Sequence, residues 1–265
     1  MHATMNLILN RRLWLAAAGA TLVSLVGASQ AAEPDSRVFE LRTYVTNEGK
    51  LPNLLARFRD HTCKLFEKHG IENIGYWVPV DKENGADTTL IYVIAHKSRD
   101  AAKASWEAFR NDPDWKAAAA ASEANGKLLA QKPGSIYMTA TDFSPAIKTG
   151  AGTAERVFEL RTYTTPEGKL PALHARFRGP EMPLFTKQGM THIAYWMPTD
   201  EGNKMIYILA HPSKEAGLKA FDNFRADPEW IKLKAETEKD GSLTLPKPDG
   251  VKSVYMKPTD FSPLK

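Results

Sequence analysis

The chain carries one module twice, and this duplication limits its fold more than any other feature. Arg37–Pro79 matches Arg156–Pro198 at a constant offset of 119. "RVFELRTY" recurs letter for letter from Arg37 and from Arg156. Gly49-Lys50-Leu51-Pro52 returns as Gly168-Lys169-Leu170-Pro171, and Tyr76-Trp77 as Tyr195-Trp196. The offset then falls to 115, with the lost residues in the polar segment Lys82–Thr88. Ala95-His96 pairs with Ala210-His211, Asp112-Pro113 with Asp227-Pro228, and Trp115 with Trp230. Thr141-Asp142-Phe143-Ser144-Pro145 closes the first copy and Thr259-Asp260-Phe261-Ser262-Pro263 the second.

Each copy spells the same elements. Val38–Tyr44 alternates and is β-prone, so it reads as a strand. Gly49 marks a turn. Apolar residues from Leu51 onward fall mostly at helical spacing, giving a helix over Leu51–His69 that stops at Gly70. Ile74–Val78 and Leu90–His96 are strands joined by a short polar link, hence antiparallel. A second helix starts near Arg99–Asp100. Asp112-Pro113 ends it and starts another, as cap and first-turn proline. Ile136–Met138 is a fourth strand. The order β-α-β-β-α-β is the ferredoxin-like split unit, an α+β fold. Such a unit has helices on one sheet face only, so the bare face needs cover. Two copies in one chain predict that each covers the other, sheet to sheet or as a shared barrel, with a homodimer of that pair as a further option.

The copies span 37–145 and 156–263. Residues 146–155 between them are small, Gly-containing and aperiodic, as in a linker. Residues 1–31 have the layout of a secretory signal peptide: Arg11-Arg12, an apolar run, then Ser29-Gln30-Ala31 before the cut. The reading is export to the periplasm or beyond by the general secretory route, with a twin-arginine signal as the alternative around Arg11-Arg12. An uncleaved anchor is the other reading of the segment; after cleavage no stable membrane insertion is expected. Without residues 1–31 the 35 Lys+Arg become 33 against 31 Asp+Glu, a net charge of about +2. No basic run interleaved with aromatics appears, so no nucleic-acid partner is expected. Cys63 is the only cysteine. Met182 takes its place in the second copy, which fits a half-buried structural thiol.

"FELRTY…GKLPNLLARFRDHTCKLFEKHGIENIGYW", "FRNDPDW" and the closing "TDFSP" together resemble the NIPSNAP domain, within the dimeric alpha-beta barrel superfamily. Both copies carry all of these pieces. The resemblance implies ferredoxin-like folds that pair through their open sheet faces, here a pseudo-dimer in one chain. It implies no established reaction. Members are mostly of unassigned function, and vesicle traffic and mitochondrial quality control are suggested for eukaryotic ones. Superfamily relatives include heme-degrading enzymes, chlorite dismutases and cofactor-free monooxygenases. Those activities come by fold analogy alone.

Strand parity selects the candidate residues. Phe39, Leu41 and Thr43 share one face of the first strand; Val38, Glu40, Arg42 and Tyr44 share the other. If the helices cover Phe39 and Leu41, then Glu40, Arg42 and Tyr44 face the opposite copy. Tyr92 and His96 share a face of the third strand. The second copy supplies Glu159, Arg161, Tyr163, Tyr207 and His211. Two readings stand. Glu–Arg pairs satisfy each other and fix the register of two sheets, or these residues line a pocket between the sheets for a small acidic or aromatic ligand. The leading function is then a binding or interaction module. A cofactor-free or heme-dependent enzyme, with the tyrosines or histidines in acid–base roles and the arginines as anion clamps, is the first alternative, and a purely structural adaptor the second. Only His96 and His211 recur among seven histidines, and a strand-end histidine bonded to backbone is the plain reading. No HxH or HxxxH spacing appears, so no metal site is expected. No cofactor is expected either, with heme on a single histidine as the exception. The paired tryptophans, Trp77 with Trp196 and Trp115 with Trp230, read as core anchors.

Overall fold

A computed structural model of the chain describes residues 35–150 and 155–265, together with Met1. The segment read as a signal peptide therefore lies outside the described residues.

In the first copy the elements run β1 (Val38–Val45), α1 (Leu51–Arg57), α2 (Cys63–Lys68), β2 (Glu72–Pro79), β3 (Thr89–His96), α3 (Arg99–Asn111), α4 (Pro113–Ser122) and β4 (Gly134–Ala140). The second repeats them as β5 (Val157–Thr164), α5 (Leu170–Arg176), α6 (Met182–Lys187), β6 (Thr191–Pro198), β7 (Lys204–His211), α7 (Lys214–Ala226), α8 (Pro228–Thr237) and β8 (Val251–Pro258). Local chemistry sets the ends. Ser98 accepts from the Ala101 amide to cap α3. Asp112 ends α3 and accepts from the Asp114 amide at 2.8 Å to start α4, with Pro113 in its first turn. Asp227 does the same for α8 at 2.9 Å. One departure concerns the long first helix. A π-helical turn, Phe58–Thr62, divides α1 from α2, and Phe177–Glu181 divides α5 from α6. Pro180 lies in the second turn, but the first has no proline, so proline is not the shared cause.

Within each copy the strands pair antiparallel, in the orders β4-β1-β3-β2 and β8-β5-β7-β6. The two sheets then join edge to edge. Val78 of β2 lies opposite Lys257 of β8, and Thr139 of β4 opposite Met197 of β6. The result is one closed eight-stranded barrel with no free edge, and the duplicated module is its half.

The duplicated "TDFS" is the clasp between halves. Thr259 donates its amide to the Tyr76 carbonyl, and Tyr76 donates back to the Ser262 hydroxyl, both at 2.9 Å. Thr141 and Ser144 do the same with Tyr195. Phe261 packs 5.4 Å from Tyr76, and Phe143 lies 5.7 Å from Tyr195. Each motif therefore belongs to one copy in sequence and packs on the other.

Parity divides β1 as expected, but the two faces are exchanged. Phe39, Leu41, Trp77, Ile91, Val93 and Ala95 point into the barrel with Phe158, Leu160, Trp196, Ile206 and Ile208 of the other copy. Phe39 lies 5.5 Å from Trp196, and Phe158 lies 5.6 Å from Trp77. Glu40, Arg42, Tyr44, Tyr92 and His96, with Glu159, Arg161, Tyr163, Tyr207 and His211, face the helices of their own copy. The pocket expected between the paired sheets is accordingly filled by the apolar cluster of both copies. The reason is solvation. The middle of a closed barrel is cut off from water, so an unpaired charge there is costly, and the ionisable residues that share the inward face, Glu72, Lys204 and Lys252, lie at strand ends. The layer beneath the helices has open ends, and charged groups there reach partners and water.

Candidate functional site

The polar set builds around a buried carboxylate, once per copy. Strand periodicity places Glu40, Arg42 and Tyr44 in one row on β1, with Tyr92 opposite Arg42 and His96 near the end of β3. Glu40 is fully buried. It accepts from Ser135 Oγ at 2.6 Å, Arg42 Nη1 at 2.7 Å, Trp106 Nε1 at 2.8 Å and His96 Nε2 at 3.2 Å. Burial pushes this carboxyl up, but His96, Arg42 and Ser135 outweigh burial and hold it at about 2. Glu159 repeats the pattern with Ser253 at 2.6 Å, Arg161 at 2.5 Å and His211 at 3.0 Å. Burial raises it too, and the same kind of partners bring it below the ordinary carboxylate range. Phe221 stands where Trp106 stands in the first copy, so the indole donor is missing there.

His96 and His211 are thus bonded to carboxylates rather than to backbone. Heme does not fit these residues. Both histidines are buried, both engage Nε2 with a glutamate, and neither lines the cleft described below. Among the described residues no group of three or more His, Cys, Asp or Glu could hold a metal ion. Burial pushes the Cys63 thiol up to about 12, so it stays protonated.

Sequence reasoning missed five partners of this set: Ser135, Ser253, Trp106, Arg57 and Arg176. The serines recur in the fourth strand and the arginines in the "ARFR" stretch, so recurrence was the available signal. Arg57 and Arg176 rise from α1 and α5 toward the same layer. Arg176 donates to Glu181 at 2.7 Å and to Glu238 at 2.8 Å. Burial alone would lower this guanidinium; Glu181 and Glu238 raise it. Glu181 is itself buried, and burial pushes it up to about 7 against the pull of Arg176.

In the second copy the layer opens. A cleft of about 610 Å³ lies between the sheet and helices α7 and α8. Glu159, Arg161 and Tyr163 form its floor; Phe221, Phe224, Trp230 and Val251 form apolar walls; Arg225, Lys234 and Lys247 also line it. Arg161 is held rigidly, donating Nε to Tyr207 at 2.9 Å and Nη2 to Tyr163 at 3.2 Å, with its guanidinium 4.1 Å from the Phe221 ring centre. The corresponding side of the first copy shows a smaller cleft of about 410 Å³ over Trp106, Arg110 and Tyr137. Sequence parity therefore grouped residues that do share a face, and placed them on the wrong side of the sheet.

The NIPSNAP family model matches residues 39–145 and 158–263. Among solved structures, a protein provisionally described as a monooxygenase, from Fusobacterium nucleatum, is 10% identical with a TM-score of 0.56, over 84% of this chain and 92% of that one. A similarly described protein from Lactobacillus acidophilus is 16% identical with a TM-score of 0.51, over 84% and 94%. A NIPSNAP family protein of unknown function from Agrobacterium tumefaciens is 21% identical with a TM-score of 0.37, and covers 44% of this chain and 100% of its own. At these identities the first two show a shared fold and nothing about chemistry. No curated protein matches the chain.

Proposed function

The chain belongs to the NIPSNAP family, with two of its domains in tandem, and from that premise we propose that it is an exported module binding a small ligand with an apolar body and an acidic head. The ligand occupies the cleft of the second copy, outside the barrel. One observation carries this reading: the 610 Å³ space combines aromatic walls with five basic side chains, of which Arg161, Arg176, Arg225, Lys234 and Lys247 outnumber the acids Glu159, Glu181 and Glu238. Concave apolar walls with a few fixed polar groups are the usual form of a small-molecule site. Glu159 and Glu181 are engaged by Arg161 and Arg176, Glu238 is shared by Arg176 and Lys234, and Arg225 meets Asp222 at 2.6 Å, so among the described residues Lys247 is the lining cation without an ion pair.

The geometry gives less support to an acid–base enzyme. Tyr163 already accepts from Arg161, and Glu159 is held by three donors, Arg161, Ser253 and His211. Burial raises the Tyr207 hydroxyl well above the ordinary range, so it supplies no base at neutral pH. The adaptor reading draws on the sealed barrel interior but leaves the cleft without a purpose.

The test is native mass spectrometry of the chain recovered from its own compartment, followed by calorimetry with aromatic carboxylates from benzoate upward. A bound small acid, or binding that weakens at least tenfold in the double variant Arg225→Ser, Lys247→Ser, is expected. A chain that carries nothing and binds none of the series refutes the reading. Export is tested apart from this, by N-terminal sequencing of the recovered protein, which is expected to begin at Ala32.

A further inference from the structure

We propose that the first copy holds a small carboxylate between Arg42 and Arg57, in the place where the second copy carries a carboxylate of its own, Glu181. The duplication supplies an internal comparison. Arg176 and Arg57 are equivalent, as are Arg161 and Arg42. In the second copy Glu181 is bonded to Arg176 and acts electrostatically on Arg161. The equivalent residue in the first copy is Thr62, whose hydroxyl turns back to the Arg57 carbonyl at 3.1 Å. The two arginines and the two tyrosines recur, and a π-helical turn carries the position in both copies, regular in the first and kinked at Gly179 in the second; Trp106 replaces Phe221 beside the arginine of β1.

What the first copy retains is left unsatisfied. Arg57 Nε, Arg42 Nε and the Tyr92 hydroxyl are buried and have no hydrogen-bond partner. In the second copy the corresponding groups are all used, Arg161 Nε on Tyr207 and Arg176 Nε on Glu181. The Arg57 side chain is only 5% exposed, and its nearest carboxylate, Glu123, lies 3.9 Å away and is 40% exposed. Arg57 and Arg42 both lie close to Tyr44 and Tyr92. Arg42 has the buried carboxylate Glu40, whereas buried Arg57 has only the Ser122 hydroxyl at 3.2 Å and the distant Glu123, so its charge is undercompensated. A carboxylate accepts from arginines in a planar fork, and Arg42 Nε and Arg57 Nε are the two donors it would take up. Glu181 shares Arg176 with Glu238 at 2.8 Å, and burial pushes it up to about 7. A guest in the first copy has no such close competitor, because Glu123 stands off. This inference concerns the first copy and does not depend on what occupies the cleft of the second.

The experiment is thermal unfolding of the full chain at neutral pH in rising sodium acetate or formate, against sodium chloride at equal ionic strength. A ligand that binds only the folded chain raises its stability with concentration. The midpoint is expected to rise with carboxylate beyond the chloride control. Thr62→Glu installs the internal carboxylate of the second copy, so its midpoint without acetate should lie above the wild type and its acetate response should vanish. Arg57→Met removes the undercompensated charge at similar volume and should also lose the response; it decides the question if Thr62→Glu does not fold. A carboxylate response equal to that of chloride overturns the proposal, as does a wild-type response that survives in Arg57→Met. The second-copy variants Arg225→Ser, Lys247→Ser should keep the full acetate response, which separates this site from the cleft.

Discussion

Replacing Phe39 by alanine tests whether the two copies share one interior. Phe39 is fully buried inside the barrel, on a strand of the first copy, and its ring lies 5.5 Å from Trp196 of the second. Truncating a buried phenylalanine removes its transfer free energy and leaves a cavity, together about 3–5 kcal/mol. The lost edge contact with Trp196 is part of that sum, at about 0.5–1.5 kcal/mol. Strand pairing at the β2–β8 and β4–β6 seams keeps the surrounding frame from collapsing into the hole, so the upper part of the range is expected. The assay is urea unfolding followed by circular dichroism and by tryptophan fluorescence. One transition is expected by both probes, shifted as a whole. Phe158→Ala, its equivalent beside Trp77, should shift it by a similar amount. Two separate transitions, with only one shifted by Phe39→Ala, would refute a shared interior, as would a loss below about 1 kcal/mol.

Three further outcomes follow from the same geometry. Glu40→Gln leaves Arg42 buried without its counter-charge and should cost about 3–5 kcal/mol at neutral pH. The folded carboxyl is held at about 2, below its ordinary value, so its contribution is complete above the ordinary carboxylate range and is lost as pH falls toward 2. Wild type should therefore lose about 3 kcal/mol more than Glu40→Gln over that acid window, read by urea midpoints at successive pH values; parallel curves would contradict it. The clasp pairs Arg59–Asp260 at 2.7 Å and Arg178–Asp142 at 2.6 Å are solvent-exposed, so Asp260→Asn should cost under about 1 kcal/mol. Phe261→Ala, which loses the packing on Tyr76, should cost more than Asp260→Asn in the same thermal assay.

The fold was legible because the chain states it twice. The β1 alternation, the Asp112-Pro113 break and the short β2–β3 link each recur, and each element found lies within a few residues of its reading. The end of α4 was harder, since Ala117–Ala121 has no stop signal of its own. The recurrence of "TDFS" was visible, but not that each copy lends it to the other; that exchange follows from barrel closure, which no local pattern encodes. Parity sorted β1 correctly into Phe39 and Leu41 against Glu40, Arg42 and Tyr44. It could not say which set faced inward, because an isolated sheet has two faces of equal standing. The third strand held the clue. Ile91, Val93 and Ala95 carry no polar atom in their side chains, whereas Tyr92 and His96 on the other face do. The π-helical turns have no shared breaker residue, FRDHT in one copy and FRGPE in the other, and Glu181 stands where the first copy has Thr62, so recurrence signals neither.

The most direct test of the central claim, that the polar sets lie under their own helices and outside the barrel, is a double-mutant cycle between Glu40 and Trp106. The two are 2.8 Å apart, one on β1 and the other on α3 of the same copy. Unfolding free energies of wild type, Glu40→Gln, Trp106→Phe and the double variant should give a coupling of at least about 0.5 kcal/mol, as contacting residues do. The same cycle between Glu40 and Arg161, which belong to opposite copies, should give a value near zero. Coupling of Glu40 to Arg161 with none to Trp106 would place the charges inside the barrel and contradict the account.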